Sequence, residues 1–168
     1  MNNELKIKVI FEISQIDKLL SESQPLQDLC KLKEPDFIEL SAAAMVLHSF
    51  YNGIENIVLM ILKNYKEKLP NGYNWHIELL EKTSIQCGER KIIFNSELKC
   101  QLEEYRKFRH LVRHIYNYKL NWTMMEGIMN NINTIWGKIK ENLNIFFETE
   151  EENNHGNQFS NIERNLSI

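Results

Sequence analysis

The stretch Asp36 to Leu62, DFIELSAAAMVLHSFYNGIENIVLMIL, decides the fold. Its apolar residues return at Leu40, Ala43, Ala44, Leu47, Tyr51, Ile54, Val58, Ile61 and Leu62, steps of mainly three and four that gather them on one face of a helix. Asp36 with Glu39 three positions on reads as a capping box that starts the helix, and Leu69-Pro70-Asn71-Gly72 reads as its stop. Upstream, Leu5, Val9, Ile13, Ile16 and Leu20 form a second stripe, bounded by Pro25 and a connector around Lys33-Glu34-Pro35. Downstream, Trp75 to Ser84 has room for one short helix before a loop near Gly88. Asn95 or Ser96 caps the next helix, whose inner face is Leu98, Leu102, Tyr105, Phe108, Val112 and Ile115 and whose end is expected near Asn117. Asn121 caps a last long helix with Met125, Met129, Ile132, Trp136, Ile139, Leu143 and Phe146 inward. No strand alternation or repeat is visible. The expectation is an all-α, up-and-down bundle of four long helices and one short one.

Composition agrees. The chain has 168 residues, 43% of them hydrophobic, with only 6 Gly and 3 Pro, enough apolar material for one core and few helix breakers. Cys30, Cys87 and Cys100 match no metal-knuckle spacing and are expected to pack as free thiols. Met1 to Lys8 offers no signal-peptide core, and Ile54 to Leu62 is interrupted by Glu55 and Asn56, short of the roughly 18 apolar residues a bilayer span needs. These features predict a cytoplasmic protein without a membrane span. The net charge of −3 is unevenly spread. Residues 148–168 hold Glu148, Glu150, Glu151, Glu152 and Glu163 against Arg164, a net of −4, which leaves residues 1–147 at +1. Residues 1–147 are therefore read as one helical domain and 148–168 as an acidic, polar tail expected to be disordered, an idle terminus more than a screen for a basic cleft.

The positive charge concentrates in one place. Arg106, Lys107, Arg109 and Arg113 fall within eight residues, beside His110 and His114. The run Arg109-His110-Leu111-Val112-Arg113-His114-Ile115-Tyr116 supplies the cations, imidazoles and phenol needed to hold and cleave a phosphodiester. On a regular helix, positions 109 and 114 lie about 140° apart and roughly 7.5 Å along the axis, so both cannot aim at one phosphate. Either the helix is distorted between them, or a second protomer completes the site across a two-fold axis.

Arg109-x4-His114-x-Tyr116 resembles the Arg-x4-His-x-Tyr signature of HEPN ribonucleases, in particular the HepT toxins of HepT/MntA toxin-antitoxin systems. Leu47-His48-Ser49-Phe50-Tyr51-Asn52-Gly53-Ile54-Glu55-Asn56-Ile57, Trp75-His76-x-Glu78-Leu79-Leu80 and Tyr105-Arg106-x-Phe108-Arg109-His110-x-Val112-Arg113-His114 extend the resemblance over roughly residues 36–145. The resemblance implies a HEPN-like bundle that dimerises and cuts RNA in a shared basic cleft without a metal ion or other cofactor. It implies that Arg109 binds the scissile phosphate and that His114 is the general base or acid, leaving a 2′,3′-cyclic phosphate. It also implies an MntA-like nucleotidyltransferase antitoxin that transfers AMP to Tyr116 and so blocks RNA. The system is then of type VII-like organisation. Arg106, beside the motif, and His110 and Arg113, within it, are then RNA-binding or supporting residues. Many HEPN members carry Asn or Asp directly after the motif arginine, whereas this chain has His110, four residues before His114.

Plainer readings stand beside these. Arg109 can be a boundary arginine paired with Glu103 or Glu55, Arg106 and Arg113 solvated helix charges, and Tyr116 a core tyrosine with its hydroxyl at the rim. His48, Tyr51, Asn52 and Glu55 lie on neighbouring turns and fit a core edge as well as a supporting role. His76 and His155 have no partner at metal-site spacing and read as solvated or capping residues. Against the ribonuclease stands a non-catalytic helical subunit of a nucleotidyltransferase that holds a nucleotide or nucleic acid with the same basic segment. Backbone-directed cleavage carries little base readout, so no particular RNA is indicated.

Overall fold

The capping box forms as the sequence predicts. In this computed structural model, which describes the backbone of residues 3–165 and the side chains of residues 4–149, the Asp36 carboxylate accepts from the amides of Ile38 and Glu39 at 2.9 Å, and the Glu39 carboxylate accepts from the Asp36 amide at 2.8 Å. The helix it starts is the longest fully packed one. Six α-helices follow in order: α1 (Asn3–Glu22), α2 (Gln24–Leu32), α3 (Phe37–Asn64), α4 (Trp75–Thr83), α5 (Ser96–Val112) and α6 (Glu126–Asn165). Two 3-10 turns, Asn117–Lys119 and Trp122–Met124, lie between α5 and α6. No strand occurs among the described residues, only an isolated bridge between Cys87 and Arg90. The fold is an all-α helical bundle.

Burial explains the arrangement. α3 lies in the middle, burying Leu47, Phe50, Ile54, Ile57, Val58 and Ile61 against α1, α5, α4 and α6. Phe50 packs on Tyr105 of α5 and on Trp136 of α6, with ring centroids 5.5 and 6.0 Å away. The Trp136 Nε1–H donates to Asp17 at 2.6 Å, and Lys140 pairs with the same carboxylate, which ties α6 to α1. At Gly53 α1 and α3 approach closely: a Cβ there would lie 2.7 Å from Ile16 Cδ1. By length and composition α3 could cross a membrane, contrary to the reading from uninterrupted runs, but 61% of its apolar window is buried inside the bundle.

Several boundaries differ from the sequence reading, each for a local reason. Pro25 occupies the first turn of an unforeseen second short helix, α2, where its missing N–H is no loss. α3 stops at Asn64, before Leu69-Pro70, because Lys66 adopts a left-handed φ of 53° and the amides of Glu67 and Lys66 bond back to Leu62 and Lys63 in a Schellman-type closure. Asn95 caps α5 by accepting from Leu98 N at 2.8 Å, but α5 ends at Val112, not near Asn117. Asn121 caps a 3-10 turn, and α6 begins after it at Glu126. Of the thiols only Cys30 is buried; Cys87 and Cys100 are exposed, so they do not pack. α6 is unbroken across residues 147–149, and the rest of the expected tail, with His155, lies outside the residues whose side chains are described.

Candidate functional site

The end of α5 is where the motif changes character. The Arg113 amide still bonds to Arg109 O at 3.3 Å, but the His114 amide closes a tighter turn onto Leu111 O at 2.9 Å, and by Tyr116 the backbone is extended. The helix therefore finishes inside the motif. Arg109 stays on the buried side, 9% exposed. His110, Arg113, His114 and Tyr116 all come out exposed.

Arg109 of α5 is held by two other helices. Its Nε–H donates to Asn52 Oδ1 on α3 at 2.6 Å, Nη2 pairs with Glu55 Oε2 on α3 at 3.1 Å, and Nη1 lies 3.1 Å from His76 Nε2 on α4. The Trp75 ring sits 5.9 Å below the guanidinium carbon. Pairing with Glu55 is one of the two plainer partners the sequence allowed; Glu103 is not involved, since it takes Arg106 at 2.6 and 2.9 Å. Each of the three guanidinium nitrogens thus spends one N–H on these partners, leaving two of the five unspent among the described residues.

His76 is the residue the sequence reading placed wrongly. It is neither solvated nor a cap: its Nδ1 is 2.7 Å from Glu55 Oε1, and its Nε2 faces Arg109 at 3.1 Å and Arg113 at 3.3 Å. Arg109 Nη1 also lies 3.2 Å from Nδ1, but the second arginine donor on Nε2 and the 2.7 Å contact of Nδ1 with Glu55 favour Nε2 as the acceptor and Nδ1–H as the donor to Glu55. The ring is neutral. Burial, with Arg109, Arg113 and Arg106 adding to it, brings the His76 pKa down to about 4. Its partners lie 21, 33 and 37 residues away, so no spacing rule could have found it.

Burial also dominates at Glu55. Its side chain is 5% exposed, and this pushes its pKa up to about 7 against the pull of Arg109, Arg113 and Arg106. Arg109 is lowered by the same burial, with Glu55 opposing, and remains a cation. Asn52 carries the network one step further by donating to His48 Nε2 at 3.0 Å, which leaves the buried Nδ1 of His48 without a partner among the described residues. The His48 pKa is lowered by burial and then by Arg109 and Arg113. Asn52 and Glu55, and His48 through Asn52, are thus brought to the site; Tyr51 is buried beside it, its hydroxyl pKa raised by burial.

The exposed half is built from rings. His110 and His114 lie with centroids 4.5 Å apart, and Tyr73 approaches His110 edge-on at 6.4 Å. Tyr116 is 72% exposed, so it is not a core tyrosine; it stacks on Tyr118 at 5.7 Å with 15° between the planes. The arrangement can do two things chemically: fix one guanidinium rigidly from below and present two imidazoles and a second guanidinium to solvent above it.

An all-α bundle whose fifth helix ends within an Arg-x4-His-x-Tyr segment defines a HEPN-like protein. Residues 42–150 match the family model described as HepT-like protein, and the chain belongs to that family. The family is associated with toxin-antitoxin systems and ribonuclease-type activity. No curated protein and no solved structure matches the chain.

Proposed function

We propose that this protein is the toxin of a type VII-like toxin-antitoxin system, a cytoplasmic, homodimeric, metal-independent endoribonuclease. The observation that carries the reading is the termination of α5 at Val112, which turns His114 out beside His110 and Arg113 while Arg109 stays anchored underneath. In the reaction an imidazole takes the proton of the ribose 2′-hydroxyl, the freed oxygen attacks phosphorus, and the 5′-oxygen departs with a proton from a second acid. His114 holds the first role. The second falls to His110 or to His114 of the other protomer, and the product is a 2′,3′-cyclic phosphate. Arg109 stabilises the phosphorane through its two unspent N–H groups, with Arg113 as the solvent-side cation. Arg106, committed to Glu103, contributes field more than contact. Tyr116 accepts AMP from an MntA-like nucleotidyltransferase antitoxin, which sets negative charge at the mouth of the cleft and excludes RNA.

One observation favours the alternative, a non-catalytic nucleotide- or nucleic-acid-binding subunit of a nucleotidyltransferase: Arg109 is bonded by Glu55, Asn52 and His76, as a purely structural arginine would be. Cleavage of RNA in EDTA separates the two. His114→Ala, at an exposed position, abolishes cleavage with an unchanged melting curve, and Arg109→Lys, which keeps the charge and loses the fork, lowers it strongly. Cleavage by His114→Ala at the wild-type rate removes the mechanism.

A further inference from the structure

Just past the motif, the exposed face carries an aromatic ring, Tyr118, that neither the bundle nor the proposed chemistry uses. Tyr118 is 70% exposed on the 3-10 turn Asn117–Lys119, a position where folding gains little from a large ring. It lies nearly parallel to Tyr116, and both rings are largely exposed, at 72% and 70%. The turn holds them there: the Lys119 amide bonds to Tyr116 O at 2.9 Å, and Leu120 is buried directly after it. The pair of rings is flanked by cations in the sequence. Arg113 precedes the pair, and exposed Lys119 follows it. Successive aromatic faces set between positive side chains are what a strand with unpaired bases and a phosphate backbone requires.

We infer that Tyr116 and Tyr118 form a stacking platform for a nucleobase, extending the His110–His114 face, and that the substrate is RNA unpaired at the cleavage site. The nature of the polymer rests on the ribonuclease reading; the platform rests on the ring geometry. A base on the outer face of Tyr118 leaves its neighbouring phosphate to Arg113 or Lys119. A duplex, whose bases are already stacked on each other, offers the platform nothing.

The test uses the full chain and a short 2′-O-methyl RNA strand, which binds but cannot be cut because its 2′-oxygen has no proton to lose. Fluorescence anisotropy at one fixed low salt concentration gives the affinity. Tyr118→Leu is expected to weaken binding by roughly 5- to 140-fold, the equivalent of about 1–3 kcal/mol per stacked base. Tyr118→Phe keeps the ring and stays within about twofold of wild type. A strand abasic at the bound positions should bind wild type and Tyr118→Leu equally. Wild-type affinity in Tyr118→Leu, or tighter binding of duplex than of single strand, overturns the platform. Displacement of the strand by ATP at concentrations near the strand's own Kd gives the platform to a free nucleotide and overturns the RNA assignment. Cleavage of unmodified RNA is read in parallel. Cleavage that depends on His114 while binding ignores Tyr118 sinks the platform alone; binding that depends on Tyr118 without any cleavage sinks the nuclease alone.

Discussion

Glu55 allows a test of which force governs the buried cluster. Its carboxyl is 5% exposed yet touches Arg109 and His76, so burial and pairing pull its proton affinity in opposite directions. The folded value of about 7 against an ordinary 4.5 says that burial wins. A folded pKa above the unfolded one means that the native state binds the proton more tightly. The resulting stability is fully present below pH 4.5 and is lost as pH rises through about 7. At 1.36 kcal/mol for each tenfold change in proton affinity, the loss amounts to about 3 kcal/mol. Glu55→Gln has no proton to lose there. It carries its own constant cost, because its amide nitrogen faces a donor on Arg109 or His76, but that offset does not change with pH. Urea denaturation of both proteins at pH 4 and pH 8 therefore gives a double difference in which the offset cancels. Wild type should lose about 3 kcal/mol relative to Glu55→Gln between the two pH values, or roughly 6–12 °C in melting temperature for a chain of this size. The opposite sign, with wild type gaining on the variant as pH rises through the ordinary carboxylate range, would show that Arg109 outweighs burial and would refute the reasoning.

Three further outcomes follow from other parts of the molecule. The His76 ring should remain neutral in the native state down to about pH 4, with its proton on Nδ1; an NMR titration with a midpoint near the ordinary histidine value of 6.5 would contradict the assigned network. Because its folded value is depressed, its share of stability is present above pH 6.5 and falls away toward pH 4, opposite in sense to that of Glu55. Gly53→Ala should destabilise by about 1–3 kcal/mol despite the better helix propensity of alanine, since the new methyl meets Ile16 Cδ1 and Cγ1 at 2.7 and 2.8 Å; thermal melts check it, and Ile16→Val in the same background should recover part of the loss. Coexpression with a neighbouring nucleotidyltransferase should add multiples of the AMP mass, located by peptide mapping on Tyr116; mapping that puts all of it elsewhere removes Tyr116 from that role.

The sequence made the helices legible wherever periodicity and a strong cap coincide. Asp36 with Glu39 and Asn95 are local devices, each acting within three residues, and both appear as read. What failed was punctuation that depends on context. Pro25 separates helices in one setting and starts one in another, and Lys66 closes α3 in a conformation usually left to glycine. The end of α5 was misjudged because Ile115 continues the apolar rhythm after the backbone has left the helix. At the site, the exposed members were visible as a cluster of charge. Of the buried members, Arg109 and its possible partner Glu55 were legible, but His76 was not, because it gains its meaning from residues on α3 and α5 that only folding brings within 3.3 Å.

The sharing of one guanidinium among Asn52, Glu55 and His76 has an evolutionary consequence. A lineage that drops Arg109, for instance after losing any need for the activity, strands a buried carboxylate and an imidazole with no cation between them. The four positions are therefore expected to change as a set across relatives, with apolar replacements arriving at 55 and 76 wherever the arginine is gone. Tyr116 and Tyr118, which nothing in the bundle leans on, stand outside this set, and only their proposed use in binding and modification holds them.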